Sequence, residues 1–323
     1  MLREILITEQ ADLFLPVSEE ILHAAALVNE LPEGVSYFGM PQEQLVRLHD
    51  KFAFNRLAGD IGLAAPETYL IGDPEAQALA ERVDTIVKPV FGSCGRGVQR
   101  VARGKRLPAT PGALVQMRIY GDPVCTMSIA DRGRLLGTAI YRPVIEAGTV
   151  SVVFERINDP AGSINTWVEA FIAEARASGF ISFDFIVDQD GQPFAIECNP
   201  RTNSGVHFFE PVDLAEAILR PGETDCVRLN GSMLGQQLFP CLTEALAAAP
   251  DWRRMARCFA ALVRARDVSW SRSDPLPLLT MPFSASEILW RCLAKRERIA
   301  DAATDDITLF DPRDGGEGYR PIA

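Results

Sequence analysis

SFDFIVDQDGQPFAIECNPR, residues Ser182–Arg201, is the stretch that decides the fold. Two alternating runs, Ser182–Val187 and Ala195–Arg201, flank the turn-forming segment Asp188–Gly191, so together they read as a β-hairpin. Side chains alternate along a strand. Glu197 and Asn199 therefore point to one face, and Ile196 and Cys198 to the other. Closing the hairpin brings Asp184 near Glu197. Two carboxylates and an amide oxygen on one face make a set of hard oxygen donors suited to Mg2+, with phosphate oxygens completing its shell. An exposed polar face on an edge hairpin would carry the same pattern.

A second stretch lies upstream, KPVFGSCGRGV at Lys88–Val98. Its glycines allow the backbone to approach a triphosphate closely and donate N–H groups to it, while Lys88 adds a point charge. It lacks the GxxxxGK[ST] spacing of a P-loop, and no helix follows as in a dinucleotide fingerprint, which leaves a hairpin-type phosphate cover. A flexible hairpin loop looks similar. The lysine count adds weight: the chain has four, Lys51, Lys88, Lys105 and Lys295, against an arginine-dominated background. A lysine kept where arginine is the default cation marks a place for a compact ammonium.

Composition narrows the classes. The chain has 323 residues, 47% hydrophobic and 23% charged, which is ordinary for a globular protein, and a net charge of −11. No basic stripe interrupts the acidic balance, so nucleic acid is not an expected partner. The seven cysteines are scattered without a CxxC pair, and three histidines add little towards a soft metal site. No apolar run reaches the roughly 20 residues of a membrane span, and Met1–Glu9 does not read as a signal peptide; the expected compartment is the cytoplasm, with no membrane partner.

Outward from these motifs, Leu2–Gln10 reads as the tail of an amphipathic helix. Asp12–Val17 reads as a buried strand, and Ser18 as the N-cap of a helix running to about Asn29. Helices are expected at 51–61, 74–82, 165–178 and 213–219, and strands at 66–71, 84–88, 98–101, 113–119, 124–130, 134–141, 179–187 and 193–198. The chain after about Pro221 reads as mostly helical, with a loose tail after Asp311.

In order, these features resemble the ATP-grasp superfamily over about Leu48–Pro211. The resemblance rests on Asp50–Lys51, Gly62–Leu63–Ala64–Ala65–Pro66, Lys88 ahead of Gly92–Gly97, a hinge at Val115–Ile119, and Asp184 followed by Glu197-x-Asn199-Pro200-Arg201. It implies an α+β fold of two α+β subdomains clasping ATP, residues 48–120 and 121–220. Residues 1–47 would be a remnant of an α/β domain that precedes the grasp, and 221–323 a mostly helical extension. DLFLPVSEE at Asp12–Glu20, LHDKFAF at Leu48–Phe54, IECNPRTNS at Ile196–Ser204 and WSRSDPLPLL at Trp270–Leu279 resemble the carbamoyl-phosphate-synthase-like branch that includes mycosporine–glycine synthase-type enzymes. That branch carries a longer segment before the DLFLPVS-like strand, so a shortened first domain is implied.

The resemblance also implies roles. Lys51 and Lys88 would contact ATP phosphates, with Gly92, Ser93, Cys94, Gly95 and Gly97 closing over them. Gln116, Met117, Arg118 and Ile119 would hold the adenine and Asp122 the ribose; many members have a Glu where this chain has Gln116. Asp184, Glu197 and Asn199 would hold Mg2+, or Mn2+ in its place, and Arg201 would face the transferred phosphoryl group. Arg142 is a further candidate for steadying the intermediate's charge, and His207 for the acceptor pocket or for deprotonating an incoming ammonium.

The chemistry expected is phosphorylation of a carboxylic or vinylogous acid, followed by displacement of phosphate by an amine or amino acid. No Ser–His–Asp or Cys–His constellation competes with it. Two alternatives stand beside this ligase: a carbamoyl-phosphate-type phosphotransferase, and a catalytically idle ATP-binding interaction module. The expected partners are the small-molecule acid and amine, and a homodimer is compatible with the sequence.

Overall fold

The computed structural model describes residues 2–295 apart from 93, 94, 96, 148, 149, 249, 250 and 272. In chain order it contains α1 (Leu2–Thr8), β1 (Leu13–Phe14), α2 (Ile21–Ala24), β2 (Ser36–Tyr37), α3 (Gln42–His49), α4 (Lys51–Asp60), β3 (Thr68–Leu70), α5 (Pro74–Arg82), β4 (Thr85–Pro89), β5 (Gln99–Val101), β6 (Ala113–Met117), β7 (Asp122–Asp131), β8 (Arg134–Ala147), β9 (Val150–Arg156), α6 (Ser163–Ala175), β10 (Gly179–Val187), β11 (Pro193–Asn199), α7 (Pro211–Leu219), β12 (Leu234–Gln236), α8 (Leu238–Ala247), α9 (Trp252–Arg264), β13 (Arg266–Asp267) and α10 (Leu276–Lys295).

Two sheets carry the architecture. The smaller is four-stranded, in the order β3-β6-β4-β5, with its described pairs antiparallel. The larger is seven-stranded, in the order β11-β10-β7-β8-β9-β12-β13, antiparallel up to a parallel β12–β13 pair at its edge. The join between β6 and β7 is tight. At Gly121 a Cβ atom would lie 1.9 Å from the carbonyl oxygen of Val187, so only glycine fits where this linker crosses the end of β10.

An aromatic core fixes α4 and α6 against the large sheet. Phe54 of α4, Trp167 and Phe171 of α6, and Phe183 and Phe185 of β10 are all buried. Trp167 stacks on Phe171 at 5.2 Å and 8°, and Phe54 meets Phe171 edge-on at 5.2 Å. Offset and edge contacts of this kind add about 0.5–1.5 kcal/mol per pair beyond area burial. The indole N–H of Trp167 also donates to the Ala64 carbonyl at 2.9 Å, which pins the turn after α4. A helix so held has little freedom at its first residue. That residue is Lys51.

The sequence and the structure differ in five places. The strand expected at Asp12–Val17 is the two-residue β1, because its only partner among the described residues is the equally short β2, paired in parallel. Ser18 does not cap a helix. The Glu20 carboxylate instead accepts the backbone N–H groups of Val17 and Ser18 at 2.8 and 2.9 Å, and α2 starts at Ile21 and passes into a 3-10 turn over Ala25–Glu30. Helix α3 was not anticipated, although Leu45 and Leu48 are spaced for one buried face. Strand β8 runs on past Pro143 to Ala147 and is joined by β9, although a proline inside a run argues against a strand. The segment after Pro221 is mostly helical as expected, yet β12 and β13 within it extend the large sheet.

Candidate active site

The hairpin of β10 and β11 is in the register its sequence suggests: Asp184 lies opposite Glu197, and Ser182 opposite Asn199. Helix α4 packs on β11, and the Asp50 carboxylate caps α4 by accepting the N–H groups of Phe52 and Ala53 at 2.9 and 2.8 Å. Capping at Asp50 fixes where the helix begins, so Lys51 emerges beside the hairpin. Its ammonium lies 3.1 Å from Glu197 Oε1 and donates to the Gly92 carbonyl at 2.6 Å. From the small sheet, Lys88 of β4 donates to the Ile196 carbonyl at 2.9 Å. Gly92, at the head of the glycine segment, and the acidic ribbon therefore meet at Lys51. The backbone of Gly92, Gly95 and Gly97 lies in the positive-φ region, at 135°, 65° and 71°.

The acidic pair is electrostatically divided. Burial, and then Glu197, push the Asp184 carboxyl above the ordinary range. Burial also acts against ionised Glu197, but Lys51 and Lys88 outweigh it and hold that carboxyl below its usual value. Burial lowers the Lys88 ammonium to about 8. Asn199 Nδ2 donates to Asp184 Oδ2 at 3.2 Å, while Asn199 Oδ1 is buried with no hydrogen-bond partner. A buried amide oxygen left unsatisfied costs about 1–3 kcal/mol unless something accepts its lone pairs. Beside two carboxylates, a hard divalent cation fits that need. Among the described residues no group of three or more His, Cys, Asp or Glu side chains gathers, so the donor set is two carboxylates and one amide.

Arg201 follows β11. Its Nε and Nη2 each lie 2.8 Å from Glu19 Oε1, and its Nη1 donates to the Thr202 carbonyl at 3.0 Å. Glu19 was not a sequence candidate, because 182 residues separate it from Arg201 and no local spacing announces the pair. His49 was missed for a related reason. It is buried at the end of α3, its ring centroid 6.2 Å from that of Phe91, and burial, then Lys51, lower its imidazole to about 4.

The other candidates lie on β6, on the linker to β7, on β7 and β8, and in the turn after β11. Gln116 is buried and donates to Thr68 Oγ1 at 3.2 Å. The N–H groups of Met117 and Arg118 donate to the carbonyls of Glu67 and Asp84 at 2.8 and 2.9 Å, and Arg118 lies over the Tyr120 ring at 4.4 Å. Ile119 is half-buried and Asp122 is exposed at the start of β7. Arg142 is exposed and engages Glu155 Oε2 through Nε and Nη2 at 2.9 and 2.7 Å. His207 sits in a 3-10 turn, Ser204–Phe208, stacked on Phe154 at 6.5 Å, and its imidazole is lowered by burial and then by Arg266. No described contact ties Arg142 or His207 to the acidic pair. Ser93 and Cys94 lie outside the described residues.

Known proteins resemble this chain over the same span. Residues 48–205 match the family model described as an ATP-grasp domain. The chain is 26% identical over 199 residues to the carbamoyl phosphate synthase large chain, C-terminal section, of Methanopyrus kandleri, covering 54% of this chain and 36% of that protein. A biotin carboxylase from Campylobacter jejuni, solved as a β-γ-ATP complex, superposes with a TM-score of 0.58 at 16% identity, over 70% of this chain and 59% of that one. The biotin carboxylase domain of Hydrogenobacter thermophilus 2-oxoglutarate carboxylase, with MgADP, ADP and bicarbonate, gives a TM-score of 0.52 at 17% identity, over 63% and 51%. The chain thus spans from about a third to under two thirds of the length of these proteins. No described helix is long and apolar enough to cross a membrane.

Proposed function

We propose that this protein, whose residues 48–205 match an ATP-grasp domain, is an ATP- and Mg2+-dependent ligase that activates a carboxylic or vinylogous acid and joins it to an amine. The observation that carries the reading is the convergence of Lys51 and Lys88, from α4 and β4, on the Asp184–Glu197–Asn199 hairpin. Two buried ammonium groups beside a hard-oxygen donor set suit a metal-bound triphosphate. In this reading residues 48–120 and 121–220 are the two halves of the grasp. Gly92, Ser93, Cys94, Gly95 and Gly97 cover the phosphates, Gln116–Ile119 flank the adenine, and Asp122 reaches the ribose.

Asp184, Glu197 and Asn199 would hold the Mg2+, which when bound neutralises phosphate charge. Lys51 and Lys88 bind the same oxygens and orient the triphosphate. A carboxylate oxygen of the acid attacks the γ-phosphorus as the bond to the bridging oxygen breaks, and ADP leaves. The amine then attacks the acyl carbon of the resulting acyl phosphate; phosphate departs with the bonding pair and the amine gives up a proton. Arg201 faces the phosphoryl group through both steps. The substrates are small molecules and the expected compartment is the cytoplasm.

A second reading, a carbamoyl-phosphate-type phosphotransferase, is favoured by the similarity to the carbamoyl phosphate synthase large chain. The two differ in the acid, a carboxylic acid in one and a one-carbon acid in the other. The test is ADP release over a panel of carboxylic acids and amines that includes bicarbonate with ammonia. A stimulating pair, abolished by Glu197→Gln, supports an enzyme and identifies its class. Nucleotide binding with no stimulated turnover across the panel would leave an idle module instead.

A further inference from the structure

The mechanism above uses Arg201 but leaves its partner, Glu19, without a role. Glu19 belongs to the short N-terminal segment, outside the residues matched to the ATP-grasp domain. Yet its side chain is 6% exposed and Arg201's is 20% exposed, so this is a buried ion pair. The segment is fastened on both sides of Glu19. The Thr202 hydroxyl donates to the Val17 carbonyl, and the Glu20 carboxylate accepts the N–H groups of Val17 and Ser18. Further along, Gly39 packs so closely on β10 that a Cβ at Gly179 would lie 2.9 Å from its Cα.

Counting donors on Arg201 shows what this arrangement leaves available. A guanidinium has five N–H groups. Glu19 Oε1 accepts Nε–H and forms an ion pair with Nη2 at 2.8 Å, and the Thr202 carbonyl accepts one N–H of Nη1. Among the described residues no further partner engages Nη1 or Nη2. These two nitrogens form the end-on edge of the guanidinium, the edge that grips a carboxylate or phosphoryl group with two parallel bonds. Engaging the side edge with Glu19 is what presents the end edge, because the planar group cannot turn without breaking the charged Nε–H bond and the Nη2 ion pair.

We infer that Glu19 is a positioning residue: by holding Arg201 through its side edge, it aims the free fork of Arg201 at the phosphoryl group being transferred. This rests on the ligase reading. It also gives the N-terminal segment a part in the active site, which the domain match alone does not. Glu19 itself touches neither nucleotide nor metal, so its loss should spare ground-state nucleotide binding and harm what depends on Arg201's aim.

The experiment needs no knowledge of the acid or amine. Full-length protein is titrated with mant-ATP in MgCl2, then incubated with ADP, MgCl2 and aluminium fluoride as a phosphoryl mimic, and the ADP retained after desalting is measured. Glu19→Gln should bind mant-ATP within about twofold of wild type but trap ADP on the order of 10–100-fold less, the range for losing a group that orients a functional side chain. Glu19→Asp should recover part of the loss. Arg201→Gln should lose trapping to the same extent, and the Glu19→Gln, Arg201→Gln double variant should be no worse than Arg201→Gln alone. Should Glu19→Gln fail to fold, Thr202→Val, which releases the Val17 anchor without touching either charge, must show a partial trapping loss. Wild type that binds no mant-ATP refutes the ligase reading itself. Wild type that binds it but traps no ADP, a Glu19→Gln that traps normally, or additive losses in the double variant would overturn the role of Glu19.

Discussion

Replacing Gly121 by alanine tests how the two sheets are joined, and the structure gives its cost. The new methyl carbon would lie 1.9 Å from Val187 O, 2.6 Å from Val187 C and 2.9 Å from Asp188 Cα, all backbone atoms that no rotamer change can move. Ordinary contact begins at 3.4 Å, so the start of β7 and the end of β10 must part by about 1.5 Å, the difference between 3.4 and 1.9. The Asp122↔Val187 and Pro123↔Ile186 pairs lie at that end and would open. Overpacking of this kind costs about 1–3 kcal/mol. The join also sets Lys88, on the small sheet, against Glu197, on the large one, and a shift of about 1 Å in such a site lowers turnover by on the order of 10²-fold. Gly59→Ala is the matched control: it lies in α4 with nothing within 4 Å of its added Cβ, and should stabilise by about 0.5–1 kcal/mol. Urea denaturation of both variants, with mant-ATP titration, reads the contrast. A Gly121→Ala protein within about 0.5 kcal/mol of wild type would refute the close crossing.

Two further outcomes follow from the site's surroundings. His49 is lowered from 6.5 to about 4, chiefly by burial, so the folded protein holds it neutral. A depressed base contributes stability that is full above its unfolded value and is lost as pH falls towards its folded one. Acidification from about pH 6.5 to about pH 4 should therefore cost on the order of 2–3 kcal/mol through this group, and His49→Gln should flatten that part of a urea-midpoint profile; an unchanged slope contradicts its burial as a neutral imidazole. Asn203 accepts the Gly205 N–H at 2.9 Å and donates to the Thr126 carbonyl at 2.9 Å, tying the turn after Arg201 to β7. Asn203→Ala should cost about 1–2 kcal/mol in the same assay, and no measurable loss would show that the tie is not made.

How much of this was legible beforehand depends on how local the determinant is. Asp184 and Glu197 could be paired from sequence because a period of two and one short turn fix their register, and the structure has that register. Helix α5 was legible from Pro74 at its start, since a proline is tolerated in a first helical turn. The N-terminal segment was not, because two-residue strands leave no periodicity to read. Glu19 and His49 were invisible for a different reason: each matters through partners that only tertiary packing supplies. The tie from Gln116 to Thr68 across β6 and β3 is of the same kind, set by tertiary pairing that no motif announces.

The central claim is that Lys51, Lys88, Asp184, Glu197 and Asn199 form one site for a metal-bound nucleotide, and mant-ATP titration with and without Mg2+ tests it most directly. Wild type should bind tightly only with Mg2+, and Asn199→Ala, which removes the unpartnered buried oxygen, should lose most of that Mg2+ dependence while remaining folded. Binding that ignores Mg2+ in wild type, or an Asn199→Ala protein with undiminished Mg2+ dependence, would contradict the account.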